Sequence, residues 1–344
     1  MERGRGGRGD SAVEVSVPLV VFCIFLFPFL LTFVDVSSVN VSGTSDASEL
    51  TWSQTQKWLL VSVLSLQTVI GVSGNCLVLL VKAKSRGRFN NRCWISLLSL
   101  TLSDLGCSAL IMPGSLLAVL TGGQRSPWCE VVSLLKFTFI TSSIGSITVL
   151  SVQRLVPSAG KVVDCLVLGA CLSSWATGTV FGAVPVNYSW IKYDPAEMLC
   201  AVFWESSYSD MLIYILCASS VCIFFPFVLM ILCSVVAAAK RDRNKEEDLS
   251  DVAPLLVAAY TLCYTPFVLS EVILLGRLDL SPSPAWLRTV SSLMSYLDCG
   301  LNPVVYCCHQ DFREAALVLL WTRTHTPTEP VLTAAHILDQ QQIR

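Results

Sequence analysis

Asn302-Pro303-Val304-Val305-Tyr306 closes the last of a series of membrane-length apolar stretches in this chain. Pro303 removes a backbone donor and its ring clashes with the preceding turn, so a helix carrying it must kink and find other partners for the freed backbone. Asn302 and Tyr306 lie beside it and can supply them. Proline and asparagine occur in many apolar helices, so the string takes its meaning from what surrounds it.

Outward from this string the chain is strongly apolar. Of 344 residues, 53% are hydrophobic and 14% charged, a balance with too little polar surface to coat a water-soluble globule of this size. A helix crossing a bilayer core takes about 20 residues. Runs of that length extend from Trp58 to Val81, Cys93 to Leu120, Val131 to Val156, Val162 to Val186, Met211 to Ala239, Val252 to Leu275 and Leu287 to Cys308. The expected fold is all-α: a bundle of seven membrane-spanning helices over 58–308, with an extracellular tail over 39–57 and a cytoplasmic tail over 309–344.

A further apolar run, Val15 to Val36, follows Arg3, Arg5 and Arg8 and ends at Ser37 and Ser38. A basic head, apolar middle and small-residue exit are the layout of a signal peptide over 1–38; a run this long also suits an uncleaved anchor. Both outcomes place the residues that follow outside the cell. Lys82, Lys84, Arg86, Arg88 and Arg92 separate the first two spans, and Lys240, Arg241, Arg243 and Lys245 separate the fifth and sixth. The positive-inside rule makes these loops cytoplasmic. The sequons at Asn40 and Asn187 then both fall on the extracellular side, as glycosylation requires.

Several function classes drop out. A net charge of -2 says nothing about nucleic acid, and that class is dropped because no basic-aromatic groove is visible. No Ser/His/Asp or Cys/His set suggests catalysis, and His309, His325 and His336 all fall at the inner end or in the tail. Transporters more often show repeated spans with matched broken helices. Most of the fifteen cysteines lie within spans, where cysteine is a small buried hydrophobe. Cys129 and Cys200 instead face the oxidising side and are the expected disulfide. No metal-ligand spacing is present.

From Cys129 to Arg154 is 25 residues, which at helical rise spans about 37 Å. Gly74-Asn75 with Val78, Leu100 to Asp104, Cys129 with Arg154, Trp175, Pro226, Cys263 to Pro266, and Asn302 to Tyr306 follow in order, one set per predicted helix. Over nearly all of Trp58 to Leu320 the chain resembles the rhodopsin-like (class A) G protein-coupled receptors. The resemblance implies a sodium or polar core of Asp104, Ser143, Asp298 and Asn302. Asp104, an ionisable group at mid-membrane, costs about 2.5–3.5 kcal/mol to insert and should face the bundle. Asp298 and Asn302, four apart, share a helical face. The pair of carboxylates suits either a cation or a shared proton, and a hydrated network without an ion is the alternative.

The implied activation switch comprises Arg154, Glu246, Pro226, Ile144, Tyr260, Pro266, Pro303 and Tyr306. Glu246 either faces Arg154 or is a solvated charge in a mixed-charge loop. The implied ligand pocket is Lys136, Tyr264, Phe267, Glu271, Ser292 and Tyr296. Lys136 stands where amine receptors carry aspartate, so it suits an acid of a peptide or small ligand, or an internal pair with Glu271. Opsins attach retinal to a seventh-helix lysine, and Tyr296 occupies that position. Departures from the family are Gln153 and Leu155 around Arg154, Ser234 on the fifth helix, Tyr260 and Tyr264 on the sixth, and a short second inner loop.

The tail after Tyr306, with Phe312, Ala316, Leu319 and Leu320, predicts an amphipathic helix against membrane lipid, and Thr322, Thr324, Thr326 and Thr328 are candidate phosphosites for arrestin. The expected function is a plasma-membrane receptor that converts ligand binding into heterotrimeric G protein signalling, with no cofactor beyond Na+. The alternative is a heptahelical scaffold or decoy that does not signal.

Overall fold

The computed structural model describes residues 52–84, 93–156, 160–202, 208–239, 252–276 and 283–322. The leading apolar run, Asn40, Glu246 and the tail beyond Thr322 lie outside these residues. The elements in chain order are α1 (Gln54–Lys84), α2 (Trp94–Thr121), α3 (Trp128–Gln153), α4 (Lys161–Asn187), a hairpin of β1 (Ile191–Asp194) and β2 (Leu199–Val202), α5 (Tyr208–Ser219 continuing through Phe225–Ala239), α6 (Ala253–Gly276), α7 (Ala285–Tyr306) and α8 (Gln310–Thr322). The hairpin is the one departure from an all-helical fold among the described residues.

Helix boundaries have local causes. Ser53 and Gln56 cap α1 reciprocally: the Ser53 amide donates to Gln56 Oε1 at 2.9 Å and the Gln56 amide to Ser53 Oγ at 3.3 Å. Two of the donors a helix start leaves over are thereby satisfied, and α1 begins at Gln54 rather than Trp58. Helix α3 ends at Gln153, so Arg154 is its terminal cap residue rather than a residue within the span.

Prolines shape the interior. The turns Cys107–Ile111 in α2 and Ser220–Phe224 in α5 are widened π turns, each ending two residues before a proline, Pro113 and Pro226. A proline ring clashes with the carbonyl four residues back, here that of Ala109 or Cys222, and both carbonyls lie in the widened turn that relieves the clash.

At Pro303 and Pro185 the helix is not widened, and a neighbouring helix supplies a donor. Pro303 cannot bond the Cys299 carbonyl, and Asn75 on α1 donates to it at 2.9 Å. Pro185 leaves the Phe181 carbonyl free, and the Tyr214 hydroxyl on α5 donates to it at 3.0 Å. The partner that Pro303 requires therefore comes from α1 and not from within the Asn302–Tyr306 string.

Six helices, α1 to α6, are long and apolar enough to cross a membrane. Helix α7 is of similar length but carries Arg288, Ser291, Ser292, Ser295, Asp298 and Asn302 along its course. Seventeen of its 22 residues are buried, so its polar side chains meet protein where lipid would penalise them. Close approach depends on small residues. On α4, Ser174, Gly178 and Gly182 form a stripe against α3, and an added Cβ at Gly178 would stand 3.0 Å from the Thr138 Cα and 3.1 Å from its carbonyl oxygen. Such stripes let helix backbones pack in a medium that gives helices no hydrophobic drive to associate.

Helix α8 turns Phe312, Ala315, Ala316 and Leu319 towards the bundle. Leu317, Val318 and Leu320 are exposed, Leu320 falling about a third of a turn beyond Leu319.

Candidate functional site

The polar centre assembles from α2, α3 and α7. Asp104 is 1% exposed; its Oδ2 accepts a hydrogen bond from Asn302 Nδ2 at 2.8 Å and its Oδ1 one from Ser143 Oγ at 3.4 Å. Asp298 is equally buried one turn before Asn302. Among the described residues, Asp298 Oδ1, Asn302 Oδ1 and the Tyr260 hydroxyl are buried with no hydrogen-bond partner. Buried polar atoms left in this way cost roughly 1–3 kcal/mol each, so this cluster suits a cation, a proton or ordered water. Beside it Tyr260 and Tyr264 stack with ring centroids 4.1 Å apart. Ile144 and Tyr260 belong to the buried cluster below, and the Pro226 carbonyl accepts from Thr148 on α3.

At the Arg154 end, Gln153 Oε1 accepts from Ser96 Oγ at 2.5 Å. The amide that replaces the family's acid is thus tied sideways to α2. One turn further in, Ser99 Oγ accepts from both Ser146 Oγ at 2.8 Å and the Trp175 indole at 3.0 Å, joining α2, α3 and α4. Tyr306 is buried with its ring edge-on to Phe312 at 5.9 Å, so Pro303 and Tyr306 end α7 against α8. Ser234 is half-buried on α5. Pro266 lies inside α6 without ending it.

The opposite end carries the Cys129–Cys200 disulfide, which fastens β2 to α3. Lys136 Nζ pairs with Glu197 Oε2 at 2.9 Å. The alternative of an internal pair between Lys136 and Glu271 is corrected: Glu271 sits in the field of both charges, but the ion pair goes to the hairpin. The reason is tethering. Cys200, three residues after Glu197, is bonded to Cys129, about 10 Å along α3 from Lys136, so the disulfide delivers the turn onto the lysine.

A second pair joins Arg288 of α7 to Asp194, and the Thr289 hydroxyl donates to the Ala196 carbonyl at 2.7 Å. Burial pushes the Asp194 carboxyl above the ordinary carboxylate range, with Glu197 adding to the shift and Arg288 opposing it.

Of the other pocket candidates, Tyr296 is buried with its hydroxyl 2.8 Å from Ser115 Oγ, and it shares electrostatic range with Lys136. Tyr264 and Ser292 are buried and Phe267 half-buried. Asn187 is exposed at the end of α4 on the disulfide side. Sequence reasoning missed Ser96, Asp194, Glu197 and Arg288. The last three were visible as charges near Cys200 and at the start of α7, but the loop register that aims them follows from the four-residue turn of the hairpin.

Residues 74–306 match the model of the 7 transmembrane receptor (rhodopsin family). The chain is 22% identical to the human visual pigment-like receptor peropsin over 319 residues, covering 85% of this chain and 93% of that protein. It is 26% identical to the rat growth hormone secretagogue receptor type 1 over 291 residues, 73% of this chain and 78% of the receptor. To the zebrafish (Danio rerio) melatonin receptor type 1B-B it is 25% identical over 280 residues, 74% of this chain and 80% of the receptor. With a matched stretch that takes in Asp104, Arg154 and the whole of Asn302 to Tyr306, this chain belongs to the rhodopsin family of seven-transmembrane receptors.

Proposed function

We propose that this membrane receptor sits in the plasma membrane with its disulfide end outside, binds an extracellular peptide or small acidic ligand there, and passes the change to a heterotrimeric G protein at the Arg154 end. The observation that carries the reading is the polar centre: Asn302, in the string that must bend at Pro303, is hydrogen-bonded to Asp104 across the bundle. A ligand that favours one arrangement of these helices over another shifts the population between them. Arrestin is the partner proposed for a phosphorylated tail.

The relatives' names point to a visual pigment-like receptor, a growth hormone secretagogue receptor and a melatonin receptor, so no ligand carries over from them. Tyr296 offers no amine for a retinal Schiff base, which speaks against light sensing. Lys136 supports an acidic group on the ligand. A screen weighted towards anionic peptides and lipids tests that choice, with potency at matched surface expression expected to fall at least about tenfold in Lys136→Ala, the equivalent of ~1.4 kcal/mol; full potency in the variant contradicts it.

The polar centre fits Na+, on the ground that Asp298 Oδ1 and Asn302 Oδ1 are orphaned beside Asp104. Asp104, Ser143, Asp298 and Asn302 would hold it, and its charge would offset the two carboxylates. An ion at tenfold its Kd stabilises by about 1.4 kcal/mol. Purified receptor is therefore expected to melt at a higher temperature in sodium chloride than in choline chloride of equal ionic strength, and Asp104→Asn to remove the difference. A sodium effect that survives the substitution rules this site out.

A silent scaffold or decoy is the second reading, favoured by Gln153 in place of an acid and bonded to Ser96. G protein dissociation that rises with the amount of receptor expressed separates the two, since a scaffold produces none.

A further inference from the structure

The turn between β1 and β2 is buried more deeply than a surface loop. Ala196 is 1% exposed and Met198 and Leu199 are 0% exposed. Met198 and Leu199 belong to one apolar cluster with Tyr296 and Leu293 of α7, Ile111 and Met112 of α2 and Val132 of α3. Met198 also stands in the left-handed backbone region, at φ 58°, a conformation that side chains other than glycine rarely adopt. Such a turn persists only where its surroundings over-determine it.

Those surroundings are specific. Glu197 stands on Lys136, Asp194 on Arg288, the Ala196 carbonyl on Thr289, and the disulfide fixes the following strand. Inside the turn, the Ala196 amide donates to Asp194 Oδ1 at 2.8 Å. One loop thus contacts α3 and α7 through two ion pairs while its methionine fills the space between helices.

We propose that the turn Asp194–Leu199 is the resident occupant of the pocket: Glu197 takes the place of a ligand acid on Lys136 and Met198 that of a ligand apolar group beside Tyr296, so an outside ligand binds by displacing the turn. Glu197 and Asp194 are then the residues that set which ligands enter. An acid must outcompete a tethered carboxylate whose effective concentration is fixed by the disulfide. The turn is carried by a hairpin of only four residues per strand, a unit small enough to open locally without unfolding the bundle.

The accessibility of Met198 tests this. Met198→Cys is introduced into the full-length receptor on intact cells, and its labelling by a membrane-impermeant maleimide is timed against the parent, whose native cysteines set the background. Tyr188→Cys, at a position 66% exposed, gives the rate of an open site.

The expected result is labelling of Met198→Cys far slower than Tyr188→Cys, and faster by at least about tenfold when Glu197→Gln and Asp194→Asn are added, as loosening of the closed form by ~1.4 kcal/mol requires. Labelling as fast as at Tyr188→Cys, or a rate that the two added changes leave unmoved, overturns the proposal. Ala196→Cys reads the same turn if Met198→Cys does not reach the surface. Hydrogen exchange at the amides of Ala196 to Leu199, compared between the purified unaltered receptor and Glu197→Gln, makes the comparison with no cysteine. The outward orientation belongs to the reading above and fails separately: labelling seen only after permeabilisation would reverse the orientation, and the rate comparison is then made on permeabilised cells.

Discussion

Lys136→Glu is expected to remove most of the receptor from the cell surface. The lysine side chain is 16% exposed and its partner Glu197 26%, so both charges are largely out of water and depend on each other. Breaking a buried pair by changing one member costs about 3–5 kcal/mol, a large part of the roughly 5–15 kcal/mol by which native proteins in general are stable. The reversal is worse than a deletion, because the new carboxylate meets Glu197 and lies in range of Glu271. Surface immunodetection and the melting temperature of detergent-extracted protein check it. Adding Glu197→Lys should recover a large share of the loss, while Lys136→Met should be milder than Lys136→Glu because no like charges are brought together. Wild-type expression and melting of Lys136→Glu would mean that the pair contributes nothing.

Gly178→Leu is expected to separate α3 from α4. The first added carbon would already lie 2.9 Å from the Thr141 Cβ and 3.0 Å from the Thr138 Cα, and the latter is backbone that no rotamer change can move. Overpacking a fitted interior costs about 1–3 kcal/mol, and here the contact lies on the stripe that also holds Gly182 against Leu134. The same helix supplies the control. An added Cβ at Gly169 meets nothing within 4 Å, so Gly169→Leu should melt at or slightly above the parent, glycine being a poor helix former by about 1 kcal/mol. Equal melting temperatures for the two variants would contradict the packing of α3 on α4 described above.

The helices were legible in the sequence because lipid imposes one rule everywhere: about 20 apolar residues per crossing with every backbone bond satisfied internally. That rule gives existence and order, not ends. The start of α1 depends on the Ser53 and Gln56 caps and the end of α3 on where Arg154 stops bonding as helix, both of which are local hydrogen-bond events.

Asp104 could be grouped with Asp298 and Asn302 through the family resemblance, while elementary physics added that a buried ionisable group demands partners and that Asp298 and Asn302, four apart, share a face. Glu197 could not. It lies in a loop whose path is set by a disulfide, a four-residue turn and a methionine in an unusual backbone conformation, and none of these has a periodicity to read. Glu271, the internal partner offered as an alternative for Lys136, was consequently the wrong acid: the choice between Glu271 on a helix and Glu197 on a hairpin is geometric. The donor to the Cys299 carbonyl was missed for a related reason, since Asn75 is recognisable as a polar residue in α1 but its target is set by how closely Gly74 lets Pro303 approach.

The claim that this rhodopsin-family chain signals through Arg154 stands or falls on a G protein dissociation panel in cells, comparing wild type with Arg154→Ala at matched surface expression. Expression-dependent basal dissociation of at least one heterotrimer is expected with the wild type, and its loss with Arg154→Ala. Dissociation that is unchanged by the substitution, or absent with every heterotrimer, would contradict it.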